Sequence, residues 1–118
     1  MIKGLCIASI WSADLNNLLP FYRDVIGLEV SLEAPGFVVL GPVRGPAVAL
    51  GTHSDVHGKN ADAARHMVGL ETDDIQADYQ RLKSKGVEFI DEPTKFDQVT
   101  VATFKDPEEN LVQLLQFS

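Results

Sequence analysis

One cysteine, Cys6, stands in 118 residues, so no disulfide can form within the chain. A reducing, cytoplasmic setting is the natural expectation. Positive charge is also scarce: ten Lys and Arg face seventeen Asp and Glu, for a net charge of −7. That balance excludes a broad phosphate-binding surface, so nucleic acid is not an expected partner. Acidity is compatible with a cationic ligand and equally serves solubility. No apolar run reaches the length of a membrane span, so no membrane partner is expected either. Lys3 followed by Gly4 to Trp11 faintly imitates a signal peptide, but the run is short and meets Asp14 without a small-residue cleavage pattern. Nucleophilic triads, phosphate-cradling glycine loops and zinc-binding cysteine pairs are missing as well.

What the chain does have is an echo. Asp14-Leu15 opens an amphipathic segment that closes at Gly27-Leu28, and Asp74-Ile75 opens another that closes at Gly86-Val87. Each follows an alternating, strand-like run and precedes several more. The first such run, Ile2 to Trp11, puts Leu5, Ile7, Ser9 and Trp11 on one face and Cys6, Ala8 and Ile10 on the other. Cys6 is thereby expected against the helix layer and inert. Asp14 is a good N-cap, with Leu15, Leu18, Leu19, Tyr22 and Val25 at helical spacing. Pro20 falls inside that helix and predicts a kink or a missing hydrogen bond, and Gly27 supplies the left-handed stop. Strands are predicted near 29–33, 36–40 and 47–53, with turns at Pro35-Gly36 and Gly41 to Pro46.

Residues 54–63 are polar and read as a linker. The order then repeats: a strand over 65–72, a helix capped by Asp73 or Asp74 with Ile75, Tyr79 and Leu82 as its stripe, and a stop at Gly86. Asp73 and Gln76 have capping-box spacing. Strands over 87–90, 98–105 and 111–117 follow, the last two joined by the Asp106-Pro107-Glu108-Glu109-Asn110 turn. The expected fold is α+β: two βαβββ modules, 1–53 and 64–118, forming a cup-shaped mixed sheet with helices outside. Such a cup is a ready-made pocket for a small-molecule ligand, unless its own side chains or a partner subunit fill it.

Asp14-Leu15, the string Pro20-Phe21-Tyr22-Arg23-Asp24-Val25-Ile26-Gly27-Leu28, Asp74-Ile75, Leu82 to Gly86 and the Asp106 to Asn110 turn together resemble the vicinal oxygen chelate superfamily. That superfamily contains glyoxalase I, bleomycin-resistance proteins and extradiol dioxygenases. The likeness spans essentially the whole chain, with Glu109 standing where the turn's usual glycine would be. It implies paired βαβββ modules, commonly in a homodimer. It also implies four positions for the ligands of a divalent cation, and these fall on Ile7, Ala49, Met67 and Gln113. Ile7 and Ala49 carry no donor atom, Met67 offers a thioether suited to soft metals, and Gln113 a neutral amide oxygen. No metal and no cofactor are therefore expected. His66 neighbours one of these positions, but a one-residue offset turns a strand side chain to the other face unless a bulge rescues it. His53 and His57 have a spacing that suits a metal on a helix, yet Ser54, Asp55 and Gly58 point to a linker instead.

If the cup binds a ligand, its lining should include Ile7, Ser9 and Trp11 from the first module and Met67, Gly69, Glu71 and Gln113 from the second. Phe37 and Phe96 are candidate apolar walls. Trp11 and Glu71 hold equivalent places, each three residues before a capping Asp, and an aromatic with a carboxylate could grip an organic cation. Trp11 as plain core and Glu71 as a solvated strand end is the competing reading. Gly69 would leave room for a ligand or for close backbone approach. Glu71 is also the weak candidate for a general base. The expected function is metal-independent binding of a small, largely apolar or cationic organic molecule, in the manner of drug-sequestering bleomycin-resistance proteins. A divalent-metal lyase or dioxygenase of the glyoxalase type, and a degenerate member with an assembly role, are the alternatives.

Overall fold

A computed structural model describes residues 1, 3, 5–42 and 46–118. The expected strand start at Ile2, Gly4 in the same run and turn residues Val43, Arg44 and Gly45 lie outside the described residues. The chain divides into two compact units, Met1–Gly58 and Lys59–Ser118.

In the first unit, β1 (Ala8–Ser12), β2 (Val30–Ala34), β3 (Phe37–Leu40) and β4 (Val48–Thr52) form a sheet of order β1-β4-β3-β2. β1 runs parallel to β4, and the other pairs are antiparallel. Alternation holds along β1: Ile10 and Ser12 are buried, Ser9 and Trp11 exposed. Cys6 lies before the strand begins and is exposed, so the expectation that it faces the helix layer is corrected. The two-residue period does not extend to residues that no neighbouring strand pairs.

The first helix is broken rather than merely kinked. Asp14 caps a 3-10 turn, Leu15–Asn17, by accepting the Asn16 N–H at 3.0 Å. A π-helix, Phe21–Ile26, follows after Pro20. Proline has no N–H to offer the preceding turn, so that one bond is missing, while the Tyr22 N–H still reaches the Leu18 carbonyl at 3.2 Å across it. The wider winding beyond it closes when Gly27, at φ 91°, donates to the Tyr22 carbonyl. Leu18 and Tyr22 keep the i, i+4 spacing across the break, and both are fully buried. Burial of that pair is what holds the segment inward.

The second unit repeats the topology. β5 (Val68–Glu71), β6 (Phe89–Phe96), β7 (Val99–Lys105) and β8 (Leu111–Phe117) form a sheet of order β5-β8-β7-β6, with β5 parallel to β8. The two units thus share one order, β-helix-β-β-β, in two mixed sheets. Here the helix is regular: α1 spans Ile75–Ser84 and is capped by Asp74, which accepts the Ala77 N–H at 3.1 Å; Asp73 is not the cap. Gln116, from the last strand, accepts the Ile75 N–H at 2.8 Å, a tertiary cap that satisfies one orphan donor. Tyr79 meets Phe89 edge to face at 4.7 Å, and Phe89 meets Phe104 at 5.3 Å, fixing which face α1 covers.

The echo reaches down to single hydrogen bonds. Ser12 Oγ accepts the Asp14 N–H at 3.0 Å, and Thr72 Oγ1 accepts the Asp74 N–H at 3.1 Å. A hydroxyl two residues before each capping Asp therefore shapes both strand-to-helix corners. β6 is longer than predicted and carries Pro93 within its second register shift, between Asp91 and Thr94. It is an edge strand, where a missing N–H costs no ladder bond.

Two residues of the segment expected as a linker over 54–63 bond to the Asp106 turn. Asn60 donates its backbone N–H to the Glu108 carbonyl and its side-chain amide to Asn110 Oδ1, both at 2.8 Å, and Lys59 pairs with Glu109 at 2.9 Å. These bonds tie 59–60 to the Asp106 turn of the second unit. Asp106 itself is buried and accepts from the Glu108 N–H, the Asn110 N–H and the Asn110 side chain. Glu109 takes the left-handed conformation, φ 62°, that a glycine would adopt at no cost. The turn keeps its shape, and Glu109 joins Lys59 and Lys105 instead.

Candidate functional site

Cross-strand register decides which of the expected lining residues meet. On the first sheet Trp11 pairs with Gly51, and Gly51 with Phe37, so these three share one face. The Trp11 indole lies over Gly51. A Cβ added there would stand 2.5 Å from Cε3 and closer still to Cζ3. Phe37 flanks the indole at 6.3 Å between ring centroids, and His53 meets it edge-on at 5.8 Å. One side of the indole is therefore packed on backbone, while 42% of Trp11 stays exposed. Core and ligand readings of this tryptophan are not exclusive: glycine seats the ring, and the seated ring presents a surface.

Ser9 pairs with Ala49 in the adjacent row of the same sheet; Ser9 is exposed and Ala49 is fully buried. Ile7 is half-buried just before β1. Neither Ile7 nor Ala49 offers an electron pair, so the first unit contributes no donor at the positions the resemblance implies for a cation. His53 follows β4 directly and joins the aromatic cluster, with Nδ1 accepting the Asp55 N–H at 3.0 Å. The sequence ends the strand expected over 47–53 on it, with the linker residues Ser54 and Asp55 directly after. Gly51 and His53 are the two residues of this face that sequence reasoning misses.

On the second sheet Gly69 pairs with Gln113, and Glu71 with Leu115. Val68 and Leu70 alternate with exposed Gly69 and Glu71, so the carboxylate points away from the face α1 covers. The space Gly69 leaves is taken by Leu115, whose Cδ1 would lie 2.8 Å from an added Cβ. The two units thus seat a large side chain over a glycine with the strands exchanged: Trp11 over Gly51, Leu115 over Gly69. Met67 lies before β5 and is 39% exposed; Gln113 is half-buried. Phe96 ends β6 opposite Val99, which in turn pairs with Phe117, and both phenylalanines are exposed.

β5 pairs with β8 without a register shift, and His66 sits outside the strand in exposed, extended backbone. His57 is exposed in a segment that is not helical. Among the described residues no group of three or more His, Cys, Asp or Glu could hold a metal ion, and no helix is long and apolar enough to cross a membrane. The donor set at the implied cation positions, two hydrocarbons, a thioether and an amide, does not fit a catalytic divalent ion.

Comparison with known proteins agrees with this architecture. An uncharacterized protein of Bacillus subtilis, YurT, is 56% identical over 130 aligned positions, covering 95% of this chain and 98% of the relative. A solved antibiotic binding protein from a Streptomyces species is 25% identical with a TM-score of 0.80, covering 99% of this chain and 98% of that one. A solved member of the glyoxalase/bleomycin resistance protein/dioxygenase superfamily from Sphaerobacter thermophilus is 26% identical with a TM-score of 0.75, covering 98% of each chain. The model of that superfamily matches residues 6–114. With the repeat, the paired topology and this match in hand, the chain belongs to the glyoxalase/bleomycin resistance protein/dioxygenase superfamily.

Proposed function

We propose that this protein binds a small, largely apolar or cationic organic molecule without a metal, sequestering or carrying it rather than transforming it. One observation carries the reading: a tryptophan seated over Gly51 and left 42% exposed, beside Phe37 and His53. An exposed indole attracts flat rings and cations through its π face. The structural likeness to an antibiotic binding protein supports the same reading. Glu71 and Gln113 share one face of the second unit's own sheet and offer polar groups there. The donor-poor cation positions favour metal independence. A homodimer working in the cytoplasm completes the proposal, and light scattering on the purified protein tests the oligomeric part.

The functional test is a thermal-shift panel of apolar and cationic aromatic compounds, with and without chelator. At a hundredfold excess over Kd a bound compound adds about 2.7 kcal/mol. Unfolding entropy of about 2.1 cal/mol/K per residue turns that into a Tm rise of roughly 10 °C. The rise should survive the chelator. A panel without effect would contradict the proposal, and stability that collapses on chelation and returns with a divalent ion would contradict it in favour of a metalloenzyme.

A further inference from the structure

His53 is a polar edge set into an apolar platform, and its protonation pattern follows from one hydrogen bond. The Asp55 backbone N–H donates to His53 Nδ1 at 3.0 Å, so in the neutral ring the proton sits on Nε2. Half of the His53 side chain remains exposed. The same ring stands edge-on to Trp11, at 74° between planes, while the Phe37 ring is tilted 32° from the indole plane. A hydrogen-bond donor of fixed tautomer therefore borders a surface suited to stacking. Gly51 keeps the platform in place, because any larger residue there would displace the indole.

We infer that His53 is a specificity-determining residue of the ligand face: Trp11 and Phe37 take a flat aromatic ring system, and His53 Nε2–H selects ligands carrying an acceptor atom at the ring edge. This deepens the binding reading above and rests on it. The ligand class narrows from apolar organic molecules in general to planar aromatics with an edge nitrogen or carbonyl oxygen. Purely hydrocarbon rings stack without filling the donor, and leave a polar N–H partly desolvated and unmatched.

Trp11 is the sole tryptophan, so its fluorescence reports on this face alone. Two probes of nearly one shape separate stacking from recognition: quinoline, which has a ring nitrogen acceptor, and naphthalene, which has none. In mildly alkaline buffer both should quench Trp11, with quinoline binding about fivefold more tightly, the scale of one hydrogen bond. His53→Phe keeps an aromatic ring beside Trp11 and should erase the preference while leaving naphthalene binding in place. His53→Gln restores an N–H donor and should recover part of the preference. The readout is the ratio of the two affinities, which a variant that merely loosens the turn does not move. Equal binding of the two probes by the unaltered protein, or a preference that survives His53→Phe, overturns the inference. If neither probe quenches Trp11 while other compounds of the panel raise Tm, the inference fails and the binding reading stands; if the panel is silent too, both fail.

Discussion

Replacing Gly51 with alanine adds one methyl group and has an outcome whose sign depends on where Trp11 lies. At a strand position free of neighbours, Gly→Ala stabilises by about 0.4–1 kcal/mol, because alanine has less freedom to lose on folding. Gly51 has no positive φ, so alanine meets no backbone strain there. The new methyl, however, would stand 2.5 Å from Trp11 Cε3, a separation that real Cβ atoms essentially never show. Something must therefore shift, and the atoms met are side-chain atoms of the indole. The indole must leave its seat or β1 must separate from β4. Overpacking of this kind costs about 1–3 kcal/mol. At about 2.1 cal/mol/K of unfolding entropy per residue, each kcal/mol lost lowers Tm by roughly 4 °C in a chain of 118 residues. Gly51→Ala should therefore melt some 4–12 °C below the parent, with Trp11 emission red-shifted as the ring moves into water. In a Trp11→Ala background the same substitution should be neutral or mildly stabilising, because nothing is left to displace. A Gly51→Ala variant that melts at or above the parent temperature with unchanged emission would refute the seating of Trp11 on Gly51.

Other outcomes follow from the second unit. Gln116→Ala removes the acceptor of the Ile75 N–H at the start of α1 and should cost about 1 kcal/mol in urea unfolding, with the m-value unchanged; an unmoved midpoint would show that water replaces it freely. Asp106→Ala strips three hydrogen bonds from the buried centre of the 106–110 turn and should cost roughly 2–4 kcal/mol, which denaturant titration reads directly. The side-chain hydrogen bond from Lys59, reinforced by its charge, holds the Glu109 carboxyl below its ordinary value of 4.5. A carboxyl lowered on folding contributes stability above its unfolded pKa, and that contribution fades as pH falls through the lowered value. Conversely, Lys59 is raised above 10.5, chiefly by the hydrogen bond to Glu109, and its contribution is lost as pH rises through the raised value. Both groups are solvated, so Glu109→Gln should narrow the plateau only slightly, and molar salt should erase the difference; an effect that persists in molar salt would contradict an exposed pair.

The order of elements was legible because the echo of Asp14 to Gly27 in Asp74 to Gly86 rests on caps and stops, which are local signals. Gly27 and Gly86 both take positive φ at the helix ends, as their positions after an apolar stripe imply. The form of the first helix was not legible: Pro20 announces a defect, but only the burial of Leu18 and Tyr22 on either side decides that the chain answers with a 3-10 turn and a π-helix. Alternation placed Ser9 and Trp11 on one face of β1, and Gly69 and Glu71 on one face of β5. It could not reveal what lies beneath Trp11, since Gly51 is forty residues away in sequence and meets it only through the parallel register of β1 and β4. A glycine inside the strand expected over 47–53 was the available signal, because such a gap often marks a close approach. His53 was hidden by its polar neighbours, although it closes that expected strand and directly follows Thr52, the last residue of β4.

The most direct test of the binding account is the single indole N–H resonance of Trp11 in a proton–nitrogen NMR titration with the compound that raises Tm most. The account predicts that this peak and the Phe37, Gly51 and His53 amides move together, saturably, with or without chelator. Contradiction would come from a peak that stays still while the compound binds, or that moves only when a divalent ion is added.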